Sequence, residues 1–174
     1  AALAEQGALE EAFHSYREAI ALAPENETFW IGLSACVERL SFTSADDDTF
    51  DLLLQLLEHP AIDPQTVALA ALDVLQCHDG FAAIAANPST VDIAEAAETL
   101  SAIPLLLRLL TLSPIKKLDF ELAMTTLRKA LLDLAPESGL PLLAALANHC
   151  FLNEYVFAES CSESEAVAQL SNEI

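Results

Sequence analysis

Cysteine and histidine are the residues of this chain best suited to chemistry, and their spacing argues against most of it. The four cysteines are Cys36, Cys77, Cys150 and Cys161. No two lie two to four residues apart, so the pairs from which zinc sites are built are missing. Cys77-His78 and His149-Cys150 are adjacent pairs, but neighbours on a helix point in different directions and make poor joint ligands. A metal shared between the two pairs is one reading. Buried free thiols in a cytoplasmic protein are the other, and they require less. Glycine-based chemistry fails in a similar way. Gly7, Gly32, Gly80 and Gly139 are too scattered to form a phosphate-cradling loop. There is no H-E-x-x-H and no serine in a nucleophile elbow. The run Asp46-Asp47-Asp48 lacks the glycine and distal glutamate of a calcium loop and reads as a solvated helix start. The chain is therefore expected to be non-catalytic, with no cofactor and no metal of its own.

One stretch stands apart. In "CFLNEYVFAE", Cys150 to Glu159, an Asn-Glu pair sits among large apolar residues. On a helix, His149 shares a face with Asn153, and Cys150 with Glu154. With apolar residues on every side, that helix is expected to be central. A lone buried carboxylate is costly, so Glu154 needs a partner. Three roles are open for Asn153, Glu154 and Tyr155. The first is a polar clasp onto loop backbone or a base such as Arg128. The second is an active-site acid. The third is a contact to another domain.

The elements that must position these residues are helices. Alanine and leucine dominate, and 53% of the chain is apolar. Asn26 is a cap for a helix carrying Phe29, Trp30, Leu33, Val37 and Leu40 inward. Asp63 before Pro64 is another helix start. Further helices are expected over about 47–58, 64–77, 81–86, 91–100, 104–112 and 116–134. Ser138 is a candidate cap for the one holding "PLLAALANHCFLNEYVF", and Ser162-x-x-Glu165 is a capping box for the last. The three-residue stripe Leu53, Leu54 and Leu57, with Phe50, is expected to face the core of the 47–58 helix. Nine or ten helices with short loops make an all-α fold, an irregular stack of helical hairpins. No run of eighteen apolar residues lacks a charge, so no membrane span is expected. The opening "AALAEQG" reads as the tail of a helix, and the chain is expected to be a piece of a longer protein.

Charge narrows the partners. Twenty-seven acids against seven bases leave a net charge of −20, which would repel nucleic acid. Five of the seven bases, Arg108, Lys116, Lys117, Arg128 and Lys129, fall in one 22-residue window opposed only by Asp119 and Glu121. They either serve helix C-termini and local ion pairs or form a docking patch for an acidic surface.

The segment from Gly7 to Leu33 resembles the tetratricopeptide repeat. Gly7, Ala12, Tyr16, Ala19 and Pro24 fall where that repeat has glycine, alanine, aromatic, alanine and proline. Trp30 and Leu33 fall at the tryptophan and leucine of the next one. Small residues let two helices touch, and large ones fill the groove beside them. The match then fades, with Ser34 at a glycine position, Ser41 at the turn and Asp46 at an alanine. About one and a half repeats are expected, with Gly7 ending one helix and Ala8 to Leu22 forming the next. The corresponding division is a hairpin segment at 1–42 and a helical domain packed on it at 43–174, or the two as one continuous domain. The usual inward repeat positions are Thr28, Ile31, Ala35, Glu38 and Arg39, the candidate partner-binding face.

A wider likeness joins these pieces. "FWIGLSACVERLSF", "LLLQLLEHPAIDPQTVALAAL", "ELAMTTLRKALL" and "HCFLNEYVFAES" resemble the N-terminal helical region of bacterial S-adenosylmethionine-dependent methyltransferases that contain tetratricopeptide repeats. The likeness runs over about residues 7 to 165. It implies that S-adenosylmethionine binds a separate domain and that this chain is a helical module for substrate recognition or control. Its partner would be a protein or its own catalytic domain. A free-standing adaptor is the alternative, and a helical sac for an apolar ligand is a third reading.

Overall fold

A computed structural model describes residues 2–44, 46–86, 90–132, 139–153, 161 and 164–165, with side chains from Gln6 onward. Every regular element among them is a helix, as the composition requires. The order is α1 (Ala2–Leu22), α2 (Glu27–Val37), α3 (Asp47–Glu58), α4 (Pro64–Gln76), α5 (Asp79–Ala86), α6 (Ile93–Ser101), α7 (Pro104–Leu112), α8 (Leu118–Leu132) and α9 (Leu140–Leu152). The chain divides into two compact units, Ala1–His78 and Asp79–Ile174. The boundary expected at 42/43 falls within the first unit, where α2 packs on α4 as well as on α1.

Side-chain caps explain where four helices begin. Asn26 accepts from the backbone N–H of Thr28 at 3.1 Å, and Asp46 from that of Thr49 at 2.9 Å. Asp63 accepts from Gln65, and Asp92 from both Ala94 and Glu95. Each satisfies a donor that the first helical turn leaves orphaned.

Two glycines depart from expectation. α1 runs straight through Gly7, and Gly80, which would separate the helices expected over 64–77 and 81–86, lies in the first turn of α5. A glycine inside a helix costs roughly 1 kcal/mol relative to alanine, but it ends a helix only where the backbone turns left-handed. Gly139 alone among the described glycines has a positive φ, +86°, and it stands at the N-cap of α9.

In the first unit, α1 and α2 form a hairpin and α3 pairs with α4. A methyl group added at Gly32 would overlap the ring of Tyr16, so this glycine is what lets Tyr16 of α1 lie against α2. Trp30 is buried, its Nε1 donates to the Pro24 carbonyl at 2.8 Å, and its ring stacks on His59 with centroids 4.9 Å apart. One side chain thus ties the α1–α2 turn to the end of α3. The inward stripe of α3 is Leu52, Leu53, Leu56 and Leu57, whereas Phe50 and Leu54 are half-buried. The leucine run fits either register, and packing on α4 selects this one.

The second unit gathers α6, α7, α8 and α9 around Leu105, Leu106, Leu109, Leu110, Leu142 and Leu146, all buried. Phe81 of α5 faces Phe120 of α8, and Phe120 meets the edge of His149 on α9. Ser138, the expected cap of α9, and Ser162 and Glu163 of the Ser162-x-x-Glu165 box lie outside the described residues.

Candidate functional site

The proposed inward positions of α2 all lie on one exposed face. Trp30, Leu33, Ser34, Cys36 and Val37 turn inward, and Ser34 Oγ donates to the Ile31 carbonyl at 2.9 Å. That leaves Thr28, Ile31 and Ala35 outward on α2, and Glu38 and Arg39 just past its end, all exposed, with Ile31 half accessible at 50%. The helix is held rigidly from behind while presenting an aliphatic centre, a small neighbour and a charged end. Cys36, on the buried side, has its thiol pushed up by burial, partly offset by the Arg39 charge. It is therefore a structural thiol and a poor nucleophile.

Of the Asn-Glu stretch, Asn153 falls among the described residues and its neighbour Glu154 does not. Asn153 stands at the C-cap of α9, and its amide donates to His149 Nε2 at 3.0 Å and to the His149 carbonyl at 3.2 Å. The carbonyl accepts only from nitrogen, which fixes the orientation of the amide. Nε2 is then an acceptor, and the imidazole proton is assigned to Nδ1 from this hydrogen-bond pattern. Burial lowers the pKa of His149, and the carbonyls of Leu110 and Ser113 act in the opposite sense by favouring the protonated ring. Asn153 therefore bonds its own helix, and it is His149 that faces the end of α7. Arg128 donates toward Cys150 Sγ at 3.5 Å. Glu154 and Tyr155 lie outside the described residues.

The basic window is spread over several elements. Arg108 is exposed on α7, Lys116 is exposed and Lys117 half-buried before α8, and Arg128 and Lys129 are half-buried on α8. Among the described residues no group of three His, Cys, Asp or Glu side chains is placed to hold a metal ion.

The sequence reading passed over a groove of about 300 Å³ between α7 and α9, within the second unit. Its walls come from matching positions of two similar octads, "PLLLRLLT" at 104–111 and "PLLAALAN" at 141–148. The first, fourth, fifth and eighth residues of each octad line it: Pro104, Leu107, Arg108 and Thr111 opposite Pro141, Ala144, Ala145 and Asn148. The intervening leucines Leu105, Leu106, Leu109, Leu142 and Leu146 are buried. That internal likeness was the signal available in the sequence.

Comparison with protein-family models, curated proteins and solved structures gives no match.

Proposed function

We propose that this chain is a non-catalytic helical docking module whose α2 face holds a protein partner. The observation behind this reading is the row Thr28, Ile31, Ala35, Glu38 and Arg39, exposed on a helix whose opposite side is buried. A rigid helix with an accessible aliphatic centre and a polar rim is what helix-mediated recognition uses. The wider likeness described above suggests the partner: an S-adenosylmethionine-dependent methyltransferase domain, with this module recognising substrate or controlling that domain. A free-standing adaptor would use the same face, and the distinction rests on which protein binds it.

Two calorimetric titrations test the proposal. Titration of the folded chain with S-adenosylmethionine should give no binding heat. Titration with a methyltransferase domain from the same gene product should give saturable binding. Cofactor binding by this chain alone would overturn the non-catalytic reading. Absence of domain binding would leave the adaptor as the form of the proposal to pursue.

A further inference from the structure

We propose that the α7–α9 groove is a second docking site, one that takes a partner helix presenting apolar side chains one turn apart with a carboxylate beside them. It lies in the second unit and is independent of the α2 face. The groove's shape follows from the paired octads. Lining positions spaced three, four and seven apart give each wall two turns of helix, roughly 10 Å of length. On the α9 wall, Pro141, Ala144 and Ala145 are small, which leaves room for side chains from outside.

Its chemistry is apolar by arrangement. Thr111 Oγ1 donates to the Leu107 carbonyl at 2.7 Å, and Asn148 Nδ2 donates to the Ala144 carbonyl at 3.0 Å. Both polar side chains turn these donors back onto their own helices. Covering them with aliphatic groups therefore leaves no such donor stranded. An open groove with few outward hydrogen-bonding groups suits the ridge of a helix better than a polar small molecule.

Charge selects the partner. The chain has 27 acids and seven bases, yet among the described residues no Asp or Glu lines this groove and Arg108 does. Arg108 occupies the octad position that Ala145 fills on the other wall, so among the described lining residues one wall carries a guanidinium and the other no charge. A guanidinium offers five donors, enough to serve a partner's carboxylate alongside contacts within the chain. A basic helix would meet Arg108 here and be disfavoured.

The experiment uses the whole chain and two fluorescent, stapled, alanine-rich helices of about 15 residues, a length at which an unconstrained helix is marginal. One peptide carries a pair of leucines one turn apart with an adjacent glutamate. The other carries lysine in place of the glutamate. Fluorescence anisotropy should show saturable binding of the glutamate peptide, with the lysine peptide about tenfold weaker. Arg108→Glu, at an exposed position, should invert that preference. Ala144→Phe should fill the groove and weaken both peptides, with melting curves confirming that each variant is folded. Equal binding of the two peptides, an unchanged preference in Arg108→Glu, or no saturable binding would overturn the proposal. Self-association of the chain that disappears in Arg108→Glu would overturn the assignment to a separate partner and make a second copy the occupant.

Discussion

The two units solve the same packing problem with different polar chemistry. The first unit has fourteen acids and two bases, Arg17 and Arg39, a net charge of −12 with histidine neutral. Its acids work at helix starts, as Asp46 and Asp63 do, and its buried polar contacts are the indole N–H of Trp30 and the hydroxyl of Ser34. The second unit holds the other five bases and has a net charge of −8. It buries an imidazole, His149, and a hydroxyl, Ser113, in its interior. The first unit should therefore depend on aromatic packing and helix caps. The second should depend in part on a titratable side chain that must stay neutral.

Trp30→Ala is the sharpest way to break the first unit. It removes a buried aromatic, the bond to the Pro24 carbonyl and the stack on His59, and should cost about 3–5 kcal/mol by chemical denaturation. Loss should be confined to residues 1–78 when followed by hydrogen exchange. Equal loss of protection in both units would show that they do not behave as separate cores.

The second unit has its own sensitive point at Gly139. Alanine there would be held at φ +86° and its Cβ would lie 2.6 Å from Ala97 Cβ. The strained backbone alone costs about 1–3 kcal/mol. Gly32→Ala in the first unit should cost less, because the ring of Tyr16 can swing aside whereas Ala97 cannot. Equal costs, measured by denaturation of the two variants, would remove this contrast.

The pH dependence provides a gentler test. His149 has its pKa lowered from the ordinary 6.5, chiefly by burial. Above that value both folded and unfolded forms are neutral, and the group contributes nothing to the slope. As pH falls below 6.5 the unfolded chain takes up a proton that the native ring resists, so stability declines. The loss is about 1.4 kcal/mol for each unit of difference between the two pKa values. It should continue until the native ring also protonates. Denaturation midpoints between pH 8 and about pH 5 should show this limb in the parent and lose it in His149→Leu. An identical limb in both proteins would assign it to other groups.

Much of this fold could be read from the sequence, for reasons that are local. Asn26, and Asp63 before Pro64, cap their helices where the pattern placed them, because a cap acts within three residues. The resting places of Gly7 and Gly80 could not be read this way, since a glycine's role depends on backbone conformation rather than on composition. The stripe expected for α3, Phe50, Leu53, Leu54 and Leu57, missed Leu52 and Leu56 for a related reason: leucines on both faces let tertiary packing choose. Asn153 was visible as an oddity and His149 as its neighbour on the helix. That the imidazole faces carbonyls of α7 depends on a contact between helices distant in sequence. The face of α2 was legible from the repeat-like spacing, and the groove was missed although its two octads stand in plain view.

Trp30 and Ile31 are adjacent on α2, one buried and one exposed, and this contrast gives the most direct test of the docking reading. The measurement is binding of Ile31→Arg to the partner proposed above, a methyltransferase domain, alongside its melting curve. A surface change of this kind should alter stability by no more than about 0.5 kcal/mol. The account predicts a parent-like melting curve together with loss of binding. A variant that melts like the parent and still binds the domain as tightly would contradict it.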